Sequence, residues 1–185
     1  MPATIHGSPT HVLIVHIVVV LLPLSVLAAL LLVAVPATRR AYSIITLGVA
    51  FIACVAVPLA FRTGSELRAR LPPSQLISRH VQLAHQLLPL AAAFGVALAA
   101  FVVLDVLQRA RTGRLNVLER RAVDAAPTVR HYAENHRLVG PTRTAAALVV
   151  VLAILTGVQV YRVGDAGAKA AWAGRLSNSA AHAAH

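Results

Sequence analysis

The sequence predicts an all-α fold, a four-helix transmembrane bundle, and three observations lead to that prediction. The chain has 185 residues, of which 58% are hydrophobic and only 12% are charged, and its mean hydropathy is +0.74. Four apolar runs are each long enough to cross a hydrocarbon core of about 30 Å as a helix. The polar remainder is too short to build a second core, so we expect one transmembrane domain over residues 1–185. The predicted spans are 11–35, 41–61, 80–107 and 144–162.

The first span, residues 11–35, is mostly Val, Leu and Ala and contains no charged residue. It is far longer than the apolar region of a signal peptide, and no small-residue cleavage site follows a short apolar region. We therefore interpret it as an uncleaved anchor. Its conspicuous polar residues, His11 and His16, both lie at its N-terminal end.

The second span, residues 41–61, follows such a short connection that it must run antiparallel to the first. We expect it to end before Gly64, because glycine is a common stop signal for helices. Beyond that glycine, residues 65–71 predict a short helix in an extracytoplasmic loop, with Ser65 as its N-cap.

The third span, residues 80–107, begins with the polar residues His80 and His85. Deeper in the span, Ala91, Gly95 and Ala99 recur at every fourth position. Such a stripe of small residues favours the close approach of another helix in lipid. Room for a flat cofactor is the alternative interpretation.

The fourth span, residues 144–162, is flanked by two polar segments. Before it, residues 108–143 form a basic cytoplasmic loop, in which the apolar spacing of 115–126 predicts an amphipathic surface helix. After it, Gly164 is expected to end the span and Asp165 to cap a C-terminal interfacial helix. That helix belongs to an extracytoplasmic tail, residues 163–185.

The distribution of the basic residues predicts the orientation of the chain. The formal net charge is +11, with 17 Lys and Arg residues. The loop between spans one and two and the loop between spans three and four together hold ten of them, and the other side holds seven. Because loops rich in Lys and Arg stay in the cytoplasm, we expect both termini outside.

Several classes of function find no support in the sequence. No aromatic residues interleave with the arginines and no nucleic-acid motif is present, so attraction to anionic lipid headgroups explains the basic charge more simply. Cys54 is the only cysteine, which excludes an internal disulfide and a thiolate metal cage. The six acidic residues are scattered and no catalytic motif occurs, so we assign no catalytic residues and expect no enzyme acting alone.

The predicted topology gathers polar residues in the outer leaflet. Spans one and three enter the membrane from the same side, and spans two and four leave it there. Polar groups at membrane depth are costly and tend to face a bundle interior or a cavity, so this clustering predicts a site. The candidate binding residues are His11, His16, His80, His85, Arg62 and Arg162.

Three uses of this layer compete with a purely structural one. His16 and His85 could hold the iron of haem b axially, with Arg62 or Arg162 near the propionates. A divalent metal is a weaker alternative because no carboxylate lies inside the layer, and a relay of protons fits imidazoles that titrate near neutral pH. In the structural alternative, interfacial histidines bond to one another, to glutamines and to water.

Three stretches carry a resemblance to a known family. The opening GSPTHVLIVHIVVVLLPL, the middle FRTGSELRARL with HVQLAH, and the tail VQVYRVGDAGAKAAW are similar to the bacterial membrane family catalogued as domain of unknown function 2231. Val12 and Ile17 depart from the Pro and Phe of many members. The matching motif positions are His11, His16, Thr63, Gly64, His80, His85, Tyr161, Arg162, Gly164 and Asp165.

The resemblance implies a multi-pass protein of the bacterial inner membrane, of the actinobacterial type. Some relatives are fused to Rieske iron–sulfur domains, whose ligands are absent from this sequence, and this implies redox partners. We therefore expect an accessory or binding subunit of a membrane redox system, in contact with the lipid bilayer and a redox protein. The alternatives are a structural or scaffolding subunit and a small proton- or metal-linked transporter.

Overall fold

The computed structural model describes residues 4–5, 8–69, 74–125 and 139–182. Over these ranges four long helices dominate the chain, and all four are long and apolar enough to span a membrane, which confirms the predicted fold class. A pair of two-residue antiparallel strands, β1 (Thr4–Ile5) and β2 (Ser8–Pro9), precedes them. The helices are α1 (Thr10–Ala34), α2 (Arg39–Arg68), α3 (Gln75–Ala125) and α4 (Val139–His182).

A helix is the favoured form for these apolar segments because it satisfies every backbone N–H and C=O group internally, where hydrocarbon offers no partner. Three of the helices nevertheless contain a proline: Pro23 in α1, Pro58 in α2 and Pro89 in α3. Proline has no N–H group, so each of them removes one hydrogen bond of its helix. Pro89 deprives the carbonyl of His85 of its helical donor.

The helices form a ring in which each packs closely against two others. α1 packs against α2 and α4, and α3 packs against the same two helices, so α1 and α3 lie diagonally across the bundle. Large side chains fill the centre, among them Leu22, Phe94, Leu98 and Phe101, which are almost fully buried. Large apolar side chains also cover the outside, as expected for a surface in contact with lipid.

Three predicted helix ends are wrong, those at Gly64, Leu107 and Gly164. Gly64 and Gly164 do not end helices, since α2 continues to Arg68 and α4 runs unbroken to His182. Residues 65–68 of the predicted loop helix therefore form the last turn of α2, while 70 and 71 lie outside the described residues, and the predicted C-terminal helix is the continuation of α4. Residues 115–125 likewise extend α3. A glycine costs a helix only about 1 kcal/mol relative to alanine, which the neighbouring turns can offset.

The two ends of the bundle differ in their polar residues. The arginine end carries Arg39, Arg40 and Arg109, and the histidine end carries His80 and His85. Along α3, the twenty residues from His85 to Asp105 span about 30 Å, the thickness of a hydrocarbon core. His85 thus lies at one boundary of the apolar layer when Asp105 lies at the other.

Candidate functional site

The polar residues of the histidine end begin with His80, which joins α3 to α4. Its Nδ1 lies 3.0 Å from the carbonyl oxygen of Val163. A carbonyl can only accept, so Nδ1 is protonated and donates a hydrogen bond to it. The ring lies directly against Gly167, where a Cβ atom would be only 3.0 Å from the ring carbon Cε1. The absence of a side chain at Gly167 therefore allows the imidazole to reach the backbone of α4.

One helical turn deeper, Gln159 makes the second polar link between α3 and α4. Its Nε2 donates to the carbonyl of Leu83 at 2.9 Å and to Oε1 of Gln86 at 3.3 Å. Its own Oε1 accepts a 3.5 Å bond from Nη1 of Arg162. Gln159 is buried, and these bonds satisfy both ends of its amide, as a buried polar group requires.

His85 lies at the same level but faces another helix. Its ring packs edge-on against Phe61 of α2, with the ring centroids 5.3 Å apart. The imidazole is nevertheless exposed. This contact shows that the end of α2 next to Arg62 and the beginning of α3 lie side by side.

The remaining candidate residues lie on the other helices. His16 of α1, Arg62 of α2 and Arg162 of α4 are exposed, while the side chain of His11 lies outside the described residues. α1 and α3 lie diagonally across the bundle and do not pack closely against each other. The pairing of His16 with His85 therefore stays a prediction. Both side chains are exposed, so a haem that they ligated would lie at the surface of this bundle rather than within its packed core.

The stripe of small residues on α3 is used for helix packing. Cys54 of α2 donates from Sγ to the carbonyl of Ala91 at 3.2 Å, and the same sulfur lies 3.0 Å from where a Cβ of Gly95 would be. The small residues thus let a thiol of α2 approach the backbone of α3. That part of the stripe leaves no space for a flat cofactor.

A metal site formed by three or more side chains is not found among the described residues. No group of His, Cys, Asp and Glu of that size comes together there. Asp165, the acidic residue of α4 at the histidine end, is bound to Lys169 at 2.8 Å.

The sequence reasoning missed an ion cluster at the arginine end. Asp105 of α3 is only 6% exposed and pairs with Arg39 of α2, at 3.4 Å from Nη1, and with Arg109 one turn along α3. Arg39 also donates to the last turn of α1, from Nε to the carbonyl of Leu32 at 2.7 Å and from Nη2 to that of Val33 at 2.9 Å. One guanidinium therefore caps α1 and links three helices.

Two sequence signals could have revealed this cluster. Asp105 and Arg109 are four residues apart, the spacing that places side chains together on one helix face. Arg39 follows α1 after a tight 3₁₀ turn, Pro36–Thr38, so its side chain can fold back onto the C-terminal carbonyls of that helix. A cation at that position is favourable because those carbonyls carry partial negative charge.

Comparisons with known proteins agree with the membrane architecture. The model of one family, described as "Predicted membrane protein (DUF2231)", matches residues 7–180. No curated protein and no solved structure matches the chain.

Proposed function

Because the chain belongs to the DUF2231 family of predicted membrane proteins, we propose that it is an accessory subunit of a membrane redox system and binds its partner at the histidine end. In this proposal the protein lies in the bacterial inner membrane, with the histidine end and both termini on the outer side. The basic segment 108–143, which includes the end of α3 and the beginning of α4, then faces the cytoplasm, as its excess of arginine favours.

One observation carries the proposal: each of the four helices has an exposed imidazole or guanidinium near the histidine end. These side chains are His16, Arg62, His85 and Arg162. Arginine forms paired hydrogen bonds with carboxylates, and imidazole can bind iron or exchange protons at neutral pH. This end therefore offers groups that suit a redox partner or the edge of its cofactor.

Haem b is the cofactor that these groups suit best. Haem iron takes imidazole as an axial ligand, and His16 and His85 are the proposed ligands. Arg62 and Arg162 would bind the propionates, because two carboxylates attract guanidinium groups. When bound, the haem would supply one-electron transfer, and the chain would supply the ligands and the counter-charges.

The test is the absorbance of the full-length chain, purified from membranes in a mild detergent after haem supplementation. The proposal expects a Soret band that disappears when His16→Asn and His85→Leu are combined. The band should persist in Glu66→Gln, an exposed residue of α2 near the same end. Wild-type protein without a Soret band would refute the haem assignment.

The structural alternative has an observation of its own in its favour. His80 and Gln159 are satisfied by bonds between α3 and α4, so part of the polar layer serves the bundle itself. Under this alternative, the double histidine variant would co-purify with the same proteins as the wild-type chain. Loss of a haem-containing or iron–sulfur protein from that sample would favour the redox role instead.

A further inference from the structure

We propose that a cleft between α3 and α4 at the histidine end binds the phosphate headgroup of an anionic membrane phospholipid. This inference does not rest on the redox role: the two proposed sites share Arg162, but the lipid test involves neither a haem nor a protein partner. The cleft has a volume of about 90 Å³ and is lined by both helices.

The charges around the cleft favour an anion. Arg79 of α3 and Arg162 and Lys169 of α4 line it, and the only acidic lining residue is Asp165. Nζ of Lys169 is already bound to the Asp165 carboxylate at 2.8 Å. Two positive charges therefore remain in excess, those of Arg79 and Arg162.

Both arginines can bind a further anion. Among the described residues no carboxylate pairs with either guanidinium, and the bond from Arg162 to Gln159 uses only one of its five N–H groups. The planar guanidinium matches the geometry of phosphate and can donate two parallel bonds to it. Two such groups on neighbouring helices face one small cleft, an arrangement that suits a phosphate monoester or diester.

The other lining residues favour an amphiphile. Leu76 and Leu83 of α3 and Tyr161 and Ala166 of α4 form the apolar part of the lining. Tyr161 is 76% exposed, and tyrosine is enriched where hydrocarbon meets water. A ligand with an anionic head and an apolar tail satisfies both parts of this surface.

The depth of the cleft selects phospholipid over free phosphate. Along α3, the thirty residues from Arg79 to Arg109 span about 45 Å, which equals the width of a bilayer including its headgroups. When Arg109 lies among the headgroups of one leaflet, Arg79 lies among those of the other. The phosphate of a neighbouring lipid is then the nearest anion in high concentration.

The test is native mass spectrometry of the full-length chain in detergent, titrated with dioleoylphosphatidylglycerol or dioleoylphosphatidylcholine. We expect the wild-type chain to prefer the anionic lipid. Combining Arg79→Gln with Arg162→Gln should weaken phosphatidylglycerol binding by about tenfold or more, because each lost bond joins two charged groups. Arg68→Gln, an exposed arginine of α2 outside the cleft, is the matched control and should bind like the wild type.

Asp165→Asn is a second variant whose expected effect, a gain of lipid binding, cannot result from misfolding. It removes the acid that neutralises Lys169, so we expect it to bind phosphatidylglycerol several-fold more tightly than the wild-type chain. Equal loss of lipid binding in Arg68→Gln and in the double variant would overturn the proposal, as would a wild-type chain that binds the two lipids equally well.

Isothermal titration of the chain in phosphatidylcholine nanodiscs with inorganic phosphate distinguishes a lipid headgroup from free phosphate as the ligand. Arginine-dependent phosphate binding without a preference for the anionic lipid would overturn phospholipid as the ligand.

Discussion

At the scale of single residues, Asp105 joins two arginines into the ion cluster of the arginine end. It is buried and pairs with both Arg39 and Arg109, while Arg39 also caps α1. Removing one partner of a buried ion pair leaves an uncompensated charge, which costs more than the pair itself contributes. The cluster therefore holds the arginine end together only as a complete set.

Asp105→Asn should lower the free energy of unfolding by about 1.5–3 kcal/mol, because it removes charge-assisted bonds to two arginines that remain partly exposed. The measurement is unfolding of the detergent-purified chain followed by circular dichroism. Asp165→Asn is the matched control, since that aspartate also pairs with a cation four residues away but is exposed. It should cost less than about 1 kcal/mol. Equal losses in the two variants would show that the Asp105 cluster is not structurally important.

The sequence identified polar residues more reliably than it identified their partners. The polar layer of the histidine end was predicted from His11, His16, His80 and His85, because polar residues at membrane depth are unusual. The bond from His80 to Val163 was not predictable, since its acceptor is a backbone carbonyl of a helix eighty-three residues away. Arg39 was counted only as a loop charge, because its role depends on how the turn after α1 orients its side chain.

At the scale of secondary-structure elements, the contact of α3 with α4 determines the shape of the histidine end. Gly167 of α4 lets the ring of His80 approach closely, and His80 and Gln159 form hydrogen bonds between the two helices. Within a membrane, interhelical bonds and close packing replace the hydrophobic effect as the source of helix association. Gly164 and Gly167 of α4 allow the stability contribution of this contact to be compared directly, because only Gly167 lies against the ring of His80.

Gly167→Ala should cost about 1–3 kcal/mol, because the new Cβ would lie only 3.0 Å from Cε1 of His80 and the ring would have to shift from its place against α4. Gly164→Ala is the control, because no atom lies within 4 Å of a Cβ at that position. Thermal unfolding in detergent measures both. Adding His80→Ala to Gly167→Ala should restore part of the loss; if it restores nothing, the ring is not the group that the alanine displaces.

The helices themselves were predictable, and their ends were not. Long apolar runs gave the four spans, because crossing a bilayer imposes a minimum length on each segment. Local stop signals failed at Gly64 and Gly164, where the helix continues through the glycine. The weak helix preference of a glycine ends a helix only when no other interaction favours its continuation. At Gly164 the packing of α4 against α3 continues as far as Gly167, so the helix continues as well.

At the scale of the whole molecule, the polar ends and the apolar middle match the layers of a bilayer. Exposed apolar side chains cover α2 between its two ends, among them Ile44, Phe51 and Val55. Arg40 is exposed at one end of this surface and Glu66 at the other. Their separation of twenty-six residues corresponds to about 39 Å, more than the hydrocarbon thickness.

We propose that the bundle crosses the membrane with its histidine end outside and its arginine end inside. Labelling of intact cells with a membrane-impermeant maleimide tests it most directly, using Arg40→Cys and Glu66→Cys in a Cys54→Ala background. We predict that the Glu66→Cys variant is labelled in intact cells and that the Arg40→Cys variant is labelled only after permeabilisation. Labelling of both variants from the same side, or the reverse pattern, would contradict the claim.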